Sequence, residues 1–284
     1  MNGIIVVNKP EGFTSHDVVA KLRGILKTRR IGHSGTLDPM ATGVLPIFVG
    51  RATRACEFAT GDDKTYRAEM LLGVETDTQD ITGEILREVP VNVSDEMLKA
   101  ALDAHTGEIS QIPPMYSAIK VDGKKLYELA RKGIEVERTA RCVTIHWIRA
   151  ERIDATHIAI EAKVSKGTYI RTLCHDIGAY LGCGATLTKL CRTQAGAFTM
   201  DDTFTLDEIQ EKGEALLRPV DSLFSEFPEI SVDEKGAFRI RNGAAINFEA
   251  PNGKYRVYDT EHEFLMLGEV ENNVLKTIKS FFEV

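Results

Sequence analysis

One acid stands in an unusual setting. In His33-Ser-Gly-Thr-Leu-Asp38-Pro-Met-Ala-Thr-Gly-Val-Leu45, Asp38 lies in a turn bracketed by Gly35, Pro39 and Gly43. An Asp before Pro initiates turns, because its side chain bonds nearby backbone amides, and that is one reading of it. Leu37 precedes the acid, and Met40, Ala41, Val44 and Leu45 follow it, so the carboxylate sits beside apolar walls rather than on an open tip. A carboxylate in such a place serves as a nucleophile or a general base. Spacing alone leaves both readings open.

Other blocks accompany this one. Asn8-Lys9-Pro10-x-Gly12-x-Thr14-Ser15 opens the chain, and Lys64-x-Tyr66 with Leu72-Gly73 and Thr76-Asp77-Thr78-x-Asp80-x-x-Gly83 follows the aspartate turn. Gln111-x-Pro113-Pro114-x-x-Ser117-Ala118-x-Lys120, with Gly123 and Leu126-Tyr127, comes next. Ser165-Lys166-Gly167-Thr168-Tyr169-Ile170-Arg171-Thr172-Leu173, with Asp176 and Leu181-Gly182, completes the set. Together with the string from Gly35 to Leu45, these blocks resemble, in order, the motifs of the tRNA pseudouridine synthase B family, whose members modify the T arm of tRNA. The resemblance runs over roughly residues 3 to 200.

That resemblance implies a chemistry. Pseudouridine formation breaks the bond from uracil N1 to ribose C1′, turns the base, joins C5 to C1′ and releases the C5 proton. The change is redox-neutral and takes no second substrate, so no cofactor and no metal is expected. It needs a nucleophile to hold sugar or base while the glycosidic bond is open, and the resemblance assigns this to Asp38. Arg171 is then its expected partner, since a guanidinium forks onto a carboxylate and keeps it ionised in a dry pocket; without the resemblance it reads equally as a helix-surface arginine. Tyr66 and Tyr169 supply rings that stack on an extruded uracil. Taken alone, each is a core or surface tyrosine. The resemblance gives His33 the space that a flipped nucleotide leaves, where an isolated histidine would cap a loop. Leu190 matches a position lining the uracil pocket, although a buried strand leucine is its ordinary reading. Lys9 is expected to orient the loop or touch phosphate. The catalytic set is therefore Asp38, Arg171 and Tyr66, with His33, Tyr66, Tyr169, Leu190 and Lys9 binding substrate.

Composition sets bounds on these expectations. With 284 residues, 43% hydrophobic and 27% charged, the chain has ordinary globular composition and is long enough for one large domain or two. No apolar run is long enough for a membrane helix. Gly3-Ile-Ile-Val-Val7 has no basic region before it and reads as a strand rather than a secretory signal. Five cysteines without a Cys-x-x-Cys pair point to a reduced, cytoplasmic protein. Spacings around Cys174-His175, Cys183 and Cys191 match no zinc pattern.

The formal net charge of −7 runs against a polyanionic partner until the chain is divided. Residues 1–61 carry +4 and residues 111–200 carry +6, whereas 62–110 carry −8 and 201–284 carry −9. The basic segments hold the aspartate turn and the Tyr169–Arg171 stretch. Local charge rather than net charge steers a polyanion. The expected partner is the T-arm stem-loop of tRNA, bound by a monomer, with no membrane.

The elements that must position these residues are legible in part. After the Gly3–Val7 strand, Thr14-Ser-His-Asp17 has capping-box spacing, and Val18, Val19, Leu22, Ile25 and Leu26 follow helical period. Strands are expected at Arg67–Gly73, Cys142–Arg149 and Ile158–Val164. Helices are expected at Ser94–His105, Lys124–Lys132, Thr168–Leu181 and from Thr205 to Gly213. Short strands at Phe238–Ile240, Tyr255–Tyr258, Phe264–Leu267 and Val274–Ile278 follow. The fold class is α+β, a mixed and largely antiparallel sheet flanked by helices. The domains are expected to be a pseudouridine synthase catalytic domain over 1–225 and a small β-rich domain over 228–284. The second matches the family's PUA-like domain in position but is short and acidic.

Three alternatives stand beside tRNA uridine isomerisation. A guide-RNA-dependent pseudouridine synthase shares the chemistry but carries a larger basic C-terminal region. A non-catalytic RNA-binding or RNA-folding protein would use the same scaffold without turnover. A glycoside hydrolase would need a second acid in a comparable motif.

Overall fold

Ile4, Ile5, Val6 and Val7 are almost wholly screened from water, so the opening apolar run is a strand covered on both faces. The computed structural model describes residues 1–121 and 123–282. They form two compact units, one of residues 1–39, 44–61 and 197–284, the other of 40–43 and 62–196.

In the first unit the Gly3–Lys9 strand pairs in parallel with Thr203–Phe204. Ile31–His33 runs antiparallel to the strand Thr42–Val49, with His33 opposite Ile47. The helix Ser15–Ile25 starts at a complete capping box. Asp17 N–H donates to the Thr14 hydroxyl at 3.0 Å, and Thr14 N–H donates to the Asp17 carboxylate at 2.8 Å. Val18, Val19 and Leu22 then bury one face.

The same unit holds a five-stranded sheet in the order Glu229–Ser231, Gly253–Tyr258, Phe264–Glu271, Val274–Ser280, Ile246–Asn247. Val257, Leu265, Met266, Val270 and Leu275 form its core. The expected strand at Phe238–Ile240 is instead part of a helix, Glu234–Arg241. Asp233 caps it by accepting from Gly236 N–H at 2.7 Å. Ala237 and Ile240, three apart, are buried while Phe238 is 69% exposed. Three residues cannot tell the two periods apart, and here the cap decides.

In the second unit five strands lie in the order Gly107–Gln111, Arg141–Arg152, His157–Val164, Lys64–Leu72, Ala185–Ala195, each antiparallel to the next. Thr42 and Gly43 then pair in parallel with Cys191 and Arg192. Ile158, Ile160, Ala162 and Val164 are buried and alternate with half-buried residues, the period-two pattern of a sheet. The mixed, largely antiparallel sheet with helices is the expected fold class.

The helix Ile170–Leu181 buries Ile170, Leu173, Cys174, Ile177 and Leu181. At Gly178 a Cβ would collide with the Ala185 backbone, so only glycine lets the helix approach this strand so closely. The helix expected over Lys124–Lys132 is shorter, Leu126–Ala130, because Lys124 and Lys125 pair with Val121 and Lys120 in a hairpin.

Candidate active site

The aspartate turn is held from both sides of Asp38. Leu37 N–H donates to the Ser15 hydroxyl at 2.8 Å, and that hydroxyl lies 3.3 Å from the Leu37 carbonyl. The Pro39 carbonyl accepts from Gly12 N–H at 2.9 Å and from the Lys9 ammonium at 3.2 Å. Lys9 also donates to the carbonyls of Pro10 and Phe13. Ser15 and Lys9 are both buried, so these bonds are shielded from water. Of the apolar residues flanking the half-buried Asp38 in sequence, Leu37, Ala41, Val44 and Leu45 are buried and Met40 is half-buried.

Lys9 was expected among the substrate-binding residues, orienting the loop or touching phosphate. Buried and donating to three carbonyls around the turn, its ammonium is in the place that orienting the loop requires. Beyond the turn, Gly43 has φ +98°, and a Cβ there would run into the Arg192 carbonyl, so glycine is required by torsion and by contact. His33 is half-buried in its short strand.

In the second unit Arg171 does not face solvent; it is 3% exposed. Its guanidinium lies 3.5 Å from the Asp80 carboxylate and donates to the carbonyls of Thr78 at 3.0 Å and Tyr116 at 2.7 Å. Asp80 accepts in turn from the Thr78 hydroxyl at 2.9 Å and from Thr82 N–H at 3.0 Å. The loop bearing Asp80 is tied to the sheet, since Ile81 N–H donates to the Leu187 carbonyl at 2.8 Å and Leu187 N–H to Gln79 at 3.1 Å.

Tyr66 and Leu190 come together on one sheet face. Tyr66 is registered opposite Arg192, and Ala68 opposite Leu190. Directly opposed residues share a face, which makes Tyr66 and Leu190 diagonal neighbours. Tyr66 is half-buried, and Leu190 and Arg192 are buried. Tyr169 is half-buried at the N-terminal boundary of the helix that carries Arg171.

Residue-type reasoning gave no role to Asp80, Ser15 or Arg192. The first two lie inside the motif blocks, which was the available signal, and Arg192 stands two residues after Leu190. Buried beside Arg192, Lys64 has its ammonium pushed below the ordinary lysine range, first by desolvation and then by that guanidinium. Among the described residues no cluster of His, Cys, Asp and Glu is arranged to hold a metal ion, and no helix is long and apolar enough to cross a membrane.

Comparison with known proteins agrees with this architecture. Residues 23–170 match the N-terminal domain of the TruB family pseudouridylate synthases, residues 171–225 the tRNA pseudouridylate synthase B C-terminal domain, and 228–278 the C-terminal domain of pseudouridine synthase II TruB. The tRNA pseudouridine synthase B of Alkaliphilus oremlandii (strain OhILAs) is 43% identical over 297 residues, spanning 100% of this chain and 99% of its own. That of Clostridium kluyveri is 42% identical over 290 residues, spanning 99% and 100%. Among solved structures, a Cbf5-Nop10-Gar1 complex contains a chain 26% identical with a TM-score of 0.73, covering 99% of this chain and 85% of that one. An H/ACA RNP bound to a substrate RNA containing 2′-deoxyuridine contains one at 23% identity and TM-score 0.72, with the same coverage, which shows a shared fold. The chain belongs to the TruB family of pseudouridylate synthases.

Proposed function

We propose that this protein isomerises uridine 55 in the T arm of tRNA to pseudouridine, with Asp38 as the nucleophile acting on a flipped-out base. The observation that carries the reading is the Asp38 turn, whose flanking peptides are pinned by the buried side chains of Ser15 and Lys9. A nucleophile gains most from a backbone that cannot drift, because misplacement by about 1 Å costs on the order of 100-fold in rate. Full-length relatives at 42–43% identity carry the name tRNA pseudouridine synthase B, which supports tRNA as the substrate. The guide-dependent alternative has less support, since residues 201–284 carry −9 where such a protein carries a larger basic C-terminal region.

In this reading Arg171 is the cation that keeps Asp38 ionised, and Tyr66 and Leu190 bound the uracil. Tyr169 stacks on the base, and His33 occupies the place it leaves. The target C1′ and C5 are out of reach in a folded T arm, so the nucleotide must be extruded. As the N1–C1′ bond breaks and C5–C1′ forms, the C5 proton passes to water and N1 takes up a proton, so that the product is an isomer of the substrate. The protein works as a monomer in the cytoplasm.

The test is an unmodified tRNA transcript tritiated at uridine C5. The protein should release tritium into water from the T-arm uridine. Asp38→Asn should abolish release while leaving tRNA affinity within about two-fold, the error expected between independent sites. Release at near native rate from that variant would reject Asp38 as nucleophile. Tight binding without turnover by the native chain would favour the non-catalytic RNA-binding alternative.

A further inference from the structure

Gln111 ends the strand Gly107–Gln111 and is 1% exposed. Its side-chain oxygen accepts from Tyr169 N–H at 2.8 Å, and its side-chain NH2 donates to the Tyr169 carbonyl at 3.1 Å. A side-chain amide thus pairs with both backbone groups of one residue, much as a neighbouring strand would. Tyr169 has extended torsions, φ −103° and ψ 113°, immediately before the Ile170–Leu181 helix, and its side chain makes no capping bond there.

This arrangement differs from ordinary helix capping. A cap is a local Ser, Thr, Asp or Asn whose oxygen takes the free amides of the first turn. Gln111 lies 58 positions away in sequence and leaves those amides alone. What it specifies is the conformation of residue 169. Satisfying a donor and an acceptor together requires one planar group offering both, which an amide has and an ionised carboxylate lacks.

We propose that Gln111 is a positioning residue for the reaction: by fixing the backbone of Tyr169 it aims the Tyr169 ring at the target uracil. The inference rests on the reading above that Tyr169 stacks on the base. It assigns to Gln111 no contact with substrate.

Two variants test it, Gln111→Met, which keeps length and loses both bonds, and Gln111→Glu. Single-turnover tritium release and tRNA affinity are measured for each, with Gln111→Met also placed in a Tyr169→Leu background. Gln111→Met should slow release about 10- to 100-fold, the scale of a misplaced reacting geometry, with affinity little changed. In the Tyr169→Leu background it should slow release by no more than about two-fold further, because sites acting through one group are not additive. A protonated carboxyl donates and accepts like the amide, and burial raises its pKa. Gln111→Glu should therefore approach the native rate at low pH and lose it as pH rises, a loss the native chain does not share.

A native rate in Gln111→Met, with Tyr169→Leu impaired, would overturn the proposal while leaving the role of Tyr169 intact. Equal slowing in both backgrounds would overturn it in favour of a purely structural bond. A native rate in Tyr169→Leu would overturn both the stacking role and this inference. If Gln111→Met does not fold, Gln111→Glu decides: recovery at low pH supports the proposal, and a pH-independent ratio to the native rate overturns it.

Discussion

Arg171 and Asp80 meet at 3.5 Å with 4% and 8% of their side chains exposed. Removing one partner of a buried pair costs as much as about 3–5 kcal/mol, because the other charge loses compensation that water no longer supplies. Asp80→Asn keeps the shape and removes the charge, so urea unfolding should show a loss toward the lower end of that range. Turnover should fall at least about ten-fold with tRNA affinity little changed, since the guanidinium is held less firmly. Arg171→Lys should be no substitute, because a compact ammonium does not reproduce the planar fork by which the guanidinium reaches the carboxylate and the two carbonyls in different directions. Native stability and rate in Asp80→Asn would remove this pair from the site.

Ser15 joins the start of its helix to the residue before Asp38. In Ser15→Ala the buried Leu37 N–H loses its acceptor, which costs about 1–3 kcal/mol. The single-turnover rate should fall, and tRNA affinity should stay. Ser15→Thr keeps the hydroxyl and should recover more of the rate. Equal tritium release from Ser15→Ala and the native chain would show that the turn holds its place without this bond.

Binding should depend on the basic segments and not on the acidic C-terminal one. Arg29 and Arg30 are exposed, whereas Lys276 pairs with Glu271 at 3.0 Å and Lys279 with Glu57 at 2.5 Å. Affinity for tRNA should fall steeply with salt. Arg29→Ala with Arg30→Ala should weaken binding and flatten the salt slope, while Lys276→Ala and Lys279→Ala should do neither. Salt titrations that gave the reverse order would place the binding surface in the C-terminal segment.

Asp176 carries a pH signature. Burial raises its carboxyl above the ordinary aspartate value of 3.8, against the opposing pull of His175 and His105. The native state therefore holds this proton more tightly than the unfolded chain does. The penalty is fully present above the folded pKa and fades as pH falls toward 3.8. Asp176→Asn should melt higher than the native chain at pH 7, and the two melting temperatures should converge near pH 4. A variant that melts lower at pH 7 would mean that the ionised carboxylate is stabilising.

Elements set by neighbours in the chain were readable from the residues themselves. The capping box of Thr14 and Asp17 closes across three positions, and the alternation from Ile158 to Val164 declares its buried face. The aspartate turn is likewise local, and most of its apolar flanks are buried. Its order among the other motif blocks was enough to suggest the family. Where two periods fit the same three residues, as at Phe238–Ile240, the residues alone could not choose between strand and helix.

Tertiary structure decided which polar groups leave water together. Ser15 reaches Leu37 across 22 positions, Gln111 reaches Tyr169 across 58, and Arg171 reaches Thr78 across 93. Each of these residue types reads as an ordinary surface group in sequence, because its bonding capacity is then met by water. Only burial makes a particular partner obligatory, and which partner lies within 3 Å is settled by how distant segments pack.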